Sequence, residues 1–538
     1  MKLRPSATAA TVAIMVMAAV VVSLHAEKSP ARARIGRECA VPVHLADDEE
    51  FRIPAKQLIE WGRLLFAANW TAEDGAGRPL TKGTGKALAD PSEPLVGARA
   101  FNRVSGPDAN SCAGCHNAPY GITGGAGDIV TNVFVLGQRF DFATMDPHDA
   151  TATKGAVDEE GHPISLQTIG NSRATTGMFG AGYLEMLARQ ITADLQAIRD
   201  SMRPGETREL VSKGVHFGKL TRKGDGLWDV SQVEGLSRLS LLGTTPTERP
   251  TLIIRPWHQA GNVISIREFS NNAFNQHHGI QPTERFGLDA DPDGDGVKNE
   301  MTRADITAVV MFQAAMQVPG RVIPNDPEIE QAVLNGEMLF EKVGCGTCHV
   351  SKLPLDRNGW IYSEPNPFNP ATNLRLGETK PLAIDLTSDD LPLPRLKREA
   401  AQPNVVWVPA YTDFKLHDIT SGTGDTLNRE ALDMNHGTWS AKFASGNGKF
   451  LTKRLWGVAN QPTHFHHGLF TTMRQAVLAH GGEALAQRRN FEALRKDDQD
   501  DIIEFLKTLQ VLPPGTKELV VDEHYQAKQW QPPALAKR

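Results

Sequence analysis

NSCAGCH at residues 110–116 and VGCGTCH at residues 343–349 carry one pattern twice, Cys-x-x-Cys-His. This is the attachment pattern of a c-type haem: the two thiols add to the porphyrin's vinyl groups and the adjacent histidine reaches the iron. A zinc site could draw on two Cys pairs, but these pairs begin far apart, at Cys112 and Cys345, and each brings its own His. A thioredoxin-like pair would need a redox fold around one motif and does not explain two copies. The pattern predicts two covalently attached haems. Cys112, Cys115 and His116 would hold the first, and Cys345, Cys348 and His349 the second, with His116 and His349 as proximal iron ligands.

The flanks of the two motifs are alike as well. Leu58–Phe66 (LIEWGRLLF) and Val333–Phe340 (VLNGEMLF) read as short amphipathic helices ending in Gly-x-x-Leu-Phe, each ahead of a Cys-x-x-Cys-His. A few residues separate Phe340 from Cys345, whereas a Gly-rich polar stretch, residues 67–110, interrupts the first copy; an internal duplication with one interrupted copy accounts for both. A helix is expected over Ala193–Met202 and another over Thr302–Gln317, opened by the capping box Thr302-x-x-Asp305 and stopped before Pro319. Thr251–Ile254 reads as a strand, residues 351–425 as a Pro-rich irregular wrap, and Ile502, Ile503, Phe505, Leu506 and Leu509 as one face of a late helix with an acidic first turn. The expected fold is mainly α: two cytochrome c-like haem domains with long irregular loops and insertions, residues 27–325 with insertion 67–110 and residues 326–538, divided at the Pro-containing stretch 319–327.

Composition narrows the class. The 538 residues are 22% charged and 40% hydrophobic, with 48 Gly and 34 Pro, which excludes disorder, collagen and coiled coil. A net charge of -6 argues against nucleic acid as a partner. Five cysteines are too few and too dispersed for a disulfide scaffold, and Cys39 is left without a role. Residues 1–26 read as an export signal: Lys2 and Arg4, an apolar run from Val12 to Leu24, and a cleavage point after Ala26. The expected location is the periplasm, the alternative being an uncleaved membrane anchor.

Two further clusters carry chemistry. Asp289-x-Asp291-x-Asp293-Gly294 with Glu300 at the twelfth position satisfies the calcium-loop expression, and a second register runs through Asp291, Asp293 and Asp295. Its alternative is a solvated acidic turn ahead of the Thr302 helix. The other cluster is His464, His466, His467 and His480, from which at least one iron ligand is expected.

With these residues in hand, the chain resembles the bacterial dihaem cytochrome c peroxidase and MauG superfamily, with the dihaem rubber oxygenases among its relatives, and matches best its dihaem oxidoreductase branch. The likeness rests on the two haem motifs with their Gly-x-x-Leu-Phe lead-in, on Arg173-x-Thr-Thr-Gly-Met-Phe-Gly-x-Gly-Tyr-Leu-Glu185, and on Ser265-Ile-Arg-Glu-Phe269. It continues in Leu455-Trp-Gly-Val458, Phe465-His-His-Gly468 and Ala476-Val-Leu-Ala-His-Gly-Gly-Glu483, and covers roughly residues 55–510. The resemblance implies a peroxidatic first haem, a second haem that delivers electrons, and a calcium ion between them. It also implies a methionine on the second iron, at the position that falls here on His480, with Met473 as the fallback. A His349/His480 pair would leave the second haem less oxidising than a His/Met pair. No His stands where the family's loop ligand of the first iron would align, so that haem's distal side is expected to be open or weakly ligated; His162, His277 and His278 are the spare candidates. Glu185 is the expected acid/base near the distal oxygen, its alternative being an ordinary helix-end carboxylate. Trp257 is a weakly marked electron relay.

Three functions follow from the resemblance. The first is reduction of hydrogen peroxide at the first haem, with electrons entering through the second from a small periplasmic cytochrome c or cupredoxin. The second is a MauG-like or rubber-oxygenase-like enzyme that uses peroxide or oxygen to oxidise an organic or protein substrate. The third is a dihaem electron carrier without catalysis.

Overall fold

Both lead-in segments are helical, and both are buried on one face against a second helix. The computed structural model describes residues 35–530 except for 77–108, 134–169, 243–247, 292–294, 437–444 and isolated positions between 110 and 128 and between 426 and 462. The export segment, most of the 67–110 insertion and His162 therefore lie outside the described residues. The helices that matter here are α1 (Ala55–Ala67), α2 (Cys112–Cys115), α3 (Ala181–Asp200), α4 (Ile266–Ala273), α5 (Arg303–Ala314), α6 (Pro327–Val343), α7 (Met473–Ala479) and α8 (Lys496–Thr508).

In α1 the buried residues are Leu58, Gly62, Leu65 and Phe66, and in α6 they are Val333, Gly336, Phe340 and Val343, each set one stripe of a helix. The stripes pack on α5 and α8 respectively, and glycine sets the distance in both. A Cβ on Gly62 would stand 1.9 Å from the Ala308 carbonyl oxygen of α5, and one on Gly336 would stand 2.0 Å from that of Asp501 in α8. Only a bare backbone allows either crossing. Helix α5 is buried from Ala304 to Ala314, as its apolar sequence on all sides requires. Its N-terminus is closed by the expected box: Thr302 Oγ1 accepts from Asp305 N–H at 3.0 Å, and Asp305 accepts from Thr302 N–H at 3.2 Å.

The expectation of a mainly α chain is corrected to a mixed α/β fold. Strands of two to eight residues gather in separate sheets of two or three. Most are too short to show the alternation that would reveal them; only a longer strand such as Val215–Arg222 has room for it. The wrap after His349 is largely irregular, tied by two short antiparallel pairs, Leu353–Leu355 with Val406–Val408 and Ile361–Glu364 with Leu382–Asp385. Thr251–Ile254, by contrast, is no strand, because Leu252 sits in the left-handed region at φ 54°. The helix read at Ala193–Met202 is the end of the longer α3, and the 302–317 helix stops at Ala314. Residues 39–538 form one unit in which discrete cytochrome c-like domains are not distinguished. No helix among the described residues is long and apolar enough to cross a membrane.

Candidate redox cofactor sites

Each lead-in helix hands its motif to a cavity. After α1, Ser111 caps the short helix α2: its Oγ accepts from Ala113 N–H at 3.1 Å and donates to the Phe66 carbonyl at 3.4 Å. After α6, Gly344 at φ 95° turns the chain directly into the 3₁₀ turn Cys345–Thr347. Cys112, Cys115 and His116 line a cavity of about 1320 Å³, and Cys345, Cys348 and His349 line a second of about 1260 Å³.

The donor chemistry fits a covalently held haem in each. Burial pushes the Cys112 and Cys345 thiols up to about 12, the reverse of the activation that a redox-active pair or a zinc thiolate requires. Burial also pushes His116 and His349 down to about 4, so both imidazoles are neutral, the form that ligates a metal. His349 Nδ1 donates to the Tyr411 carbonyl at 3.1 Å, which leaves the lone pair on Nε2. His480, just past the end of α7, lines the same cavity and repeats the device: its Nδ1 donates to the Ala476 carbonyl at 2.7 Å. Next to burial, His480 is the largest influence lowering the His349 pKa, so the two rings lie near one another. Met473 also lines this cavity, but at the other end of α7, roughly 10 Å along the axis from His480.

The remaining histidines of that cluster divide. His466 stacks on Phe450 at 3.6 Å and bonds the Asn428 carbonyl at 2.9 Å. His467 is held between Asn428 Oδ1, at 3.2 Å, and Leu469 N–H, at 2.9 Å. His464 faces the second cavity.

In the first cavity the structure brings together residues the sequence ranked low. His258, His277 and His278 all line it, the last two on a π-helical turn, Phe274–His278, that follows α4. Such turns often mark functional positions, but their extra residue leaves no sequence period to detect. His278 Nε2 lies 3.4 Å from Cys112 Sγ and its Nδ1 2.7 Å from the Ala109 carbonyl. Trp257 is also in this wall, and Gln259, Leu451, Thr452 and Lys453 line both cavities.

Glu185 is elsewhere. It is fully buried, and its carboxylate receives Arg189 at 2.6 Å, Ile266 N–H at 2.6 Å and Asn366 Nδ2 at 2.8 Å. It is absent from the lining of the first cavity, while its neighbour Leu184 is present, so the structure does not bring it to the position expected of an acid/base. Among the described residues the acidic loop forms no cluster close enough to hold an ion. Asp291 accepts from the N–H groups of Asp295 and Gly296, Asp295 from Val297, Asp289 from Asn299 Nδ2, and Glu300 from Gln281 N–H. Asp293 lies outside the described residues. Among the described residues only Cys348, Asp413 and His417 stand close enough together to hold an ion. There His417 is already held by Asp413 at 2.9 Å and Glu483 at 2.8 Å, and Cys348 belongs to the haem motif.

Residues 397–509 match the family model described as "di-haem oxidoreductase, putative peroxidase", so the chain carries a domain of that family. The match includes Lys453, the histidine cluster and His480, but neither Cys-x-x-Cys-His motif. The solved structure of Kuenenia stuttgartiensis hydrazine synthase pressurised with 20 bar xenon is similar at 13% identity over 94% of this chain and 100% of that one, with a TM-score of 0.35. No curated protein matches the chain.

Proposed function

We propose that this chain, with its di-haem oxidoreductase domain at residues 397–509, is an exported dihaem enzyme that uses peroxide or oxygen to oxidise an organic or protein substrate at the first cavity. When bound, the two haems supply the one-electron chemistry. The residues Cys112, Cys115 and His116 would hold the first, and Cys345, Cys348, His349 and His480 the second.

The observation that carries the reading is the second imidazole, His480, on the His349 cavity with its Nδ1 tied back to Ala476. A nitrogen ligand in place of a thioether lowers the potential of the site it completes. A centre held that way is easily oxidised and is poorly reduced by a high-potential cytochrome. It suits sharing oxidising equivalents with the first cavity better than feeding electrons from outside. At the first cavity no Asp or Glu lines the wall among the described residues, and His258, His277, His278 and Lys453 supply its nitrogen donors and acceptors.

Reduction of hydrogen peroxide is the second reading, favoured by the description of the family. A stopped-flow assay of the haem-loaded protein separates the two. With peroxide present, rapid oxidation of an aromatic electron donor and no turnover with a reduced small cytochrome c or cupredoxin supports substrate oxidation. Sustained turnover with the cytochrome or cupredoxin overturns it in favour of peroxide reduction. If both haems are low-spin and bind neither cyanide nor carbon monoxide, the protein is a carrier. The periplasmic location is part of the proposal, and cell fractionation tests it.

A further inference from the structure

Strand Lys449–Leu451 and the three residues after it form the wall between the two cavities. Its position is fixed from both sides. The strand pairs with Leu416–Asp418, Leu451 N–H donates to the Gln259 carbonyl at 2.8 Å, Thr452 N–H to the Lys415 carbonyl at 2.9 Å, and Leu455 N–H to the Ala410 carbonyl at 3.0 Å. Thr412 Oγ1 holds the Thr452 carbonyl at 2.8 Å. On this clamped segment stand two consecutive cations. Lys453 lines both cavities and Arg454 lines the first, with its guanidinium 6.0 Å above the Trp257 ring and a hydrogen bond to the Gly177 carbonyl.

Both side chains are half-buried. What surface the two side chains show faces the cavities, and enclosure by protein pushes Lys453 down to about 7 and Arg454 down to about 10. No carboxylate pairs with either among the described residues, and Lys453 acts on His464 and His467 as a further positive charge, lowering both. Asp425 acts on His467, and Glu483, which lines the second cavity, is held by His417. Two adjacent half-buried cations with no carboxylate partner among the described residues are costly to keep, and an anion entering the cavities would remove that cost.

We infer that Lys453 and Arg454 are a carboxylate site for the propionates of the two haems, with Arg454 serving the first and Lys453 shared between both. The inference rests on the dihaem reading above. Each porphyrin brings two carboxylates, and a single ammonium that touches one from each cavity ties the electrostatics of the two centres together. A positive charge beside a haem favours its reduced form, so losing a shared charge must lower both potentials.

The test is a spectroelectrochemical titration of the haem-loaded protein, with haem counted by pyridine haemochrome. Lys453→Met should lower both midpoint potentials, each by about tenfold in the one-electron equilibrium, or about 59 mV. Lys453→Arg should keep both near wild type, and Arg454→Met should lower only the first. Lys453→Gln takes the place of Lys453→Met should that variant not assemble. Two attached haems with only one potential moved, or neither, overturns the shared site. Fewer than two haems in the wild type overturns the dihaem reading itself, which is a separate result.

Discussion

The two motif-bearing regions share their packing and differ in what surrounds the iron position. In the first, the Phe66 ring lies 5.5 Å from Phe312 of α5 and 6.0 Å from His116, at 51° to the imidazole. In the second, Phe340 lies 5.4 Å from Phe505 of α8 and 6.4 Å from His349, at 53°. With Gly62 and Gly336 at equivalent crossings, this is one device used twice: a glycine lets two helices touch, and the phenylalanine four residues on supports the proximal histidine. The surroundings diverge. Loop and π-turn histidines line the first cavity, whereas His480 at the end of α7 completes the second. The duplicated helix pair therefore places each Cys-x-x-Cys-His motif on its cavity, and the segments added around it make the two cavities differ.

The sharpest attack on this equivalence is at the glycines. Gly62→Ala and Gly336→Ala each drive a methyl group into backbone rather than into a movable side-chain tip. Each should cost about 3 kcal/mol, the upper part of the overpacking range, read as a loss of unfolding free energy in denaturant. A pair in which one variant is tolerated and the other is not would show that the two crossings are not the same device.

The ligand difference predicts an asymmetric response. His480→Met should raise the potential of the second haem by at least about tenfold in its one-electron equilibrium, about 59 mV, and leave the first unchanged. A redox titration showing no shift would remove His480 from the second site.

The difference also bears on what a sequence can reveal. The Cys-x-x-Cys-His motifs, the Gly-x-x-Leu-Phe lead-ins and the Thr302 box were legible because each is local: a fixed spacing or a helical period within a few residues. His480 was legible through a resemblance. What connects the halves was not. Nothing in the period of α5 or α8 marks Ala308 or Asp501 as the contact for a glycine more than 160 residues away. Lys453 carries no local pattern that marks it, because only the tertiary fold shows that both of its neighbours are cavities. Glu185 was misplaced for a related reason. The helix expected over Ala193–Met202 begins earlier, at Ala181, and borders the first cavity through Leu184, but one residue further round the turn faces Arg189, Ile266 and Asn366 instead.

A pH experiment probes a group beside the second motif. His417 sits between Asp413 and Glu483; burial opposes its charging, but the hydrogen bonds it donates to Asp413 and to the free Cys348 sulfur outweigh that and lift its pKa to about 11. Thioether formation at Cys348 leaves the Asp413 contact in place. With Asp413 alone the folded value still lies above the ordinary 6.5, so the stabilisation is complete below about pH 6.5 and is lost as pH rises through the raised folded value. The stability gap between wild type and His417→Gln, measured by urea unfolding of the haem-loaded protein, should be widest at pH 6 and narrow by pH 10. A gap that does not change with pH would mean His417 is neutral in the folded state.

The smallest difference lies at the starts of the two partner helices. Helix α5 has its Thr302/Asp305 box, and Asp305 also receives Trp61 Nε1 at 2.9 Å. Helix α8 begins after Arg495, whose side chain makes no cap, and relies on Asp497 and Asp498 in its first turn to meet the positive end of the helix dipole. Thr302→Ala should therefore cost about 1 kcal/mol in unfolding free energy. Arg495→Ser should act in the other direction. It gives α8 the hydroxyl acceptor it lacks and gives up only the exposed pair between Arg495 and Asp498, at 2.9 Å, which contributes little in solvent. The gain should be the smaller of the two, because the acidic first turn already supplies part of what a cap would provide. Opposite signs in thermal unfolding would show that the duplicated helix pairs are closed by different means at their N-termini, and equal signs would show that the Arg495–Asp498 pair is itself the cap of α8.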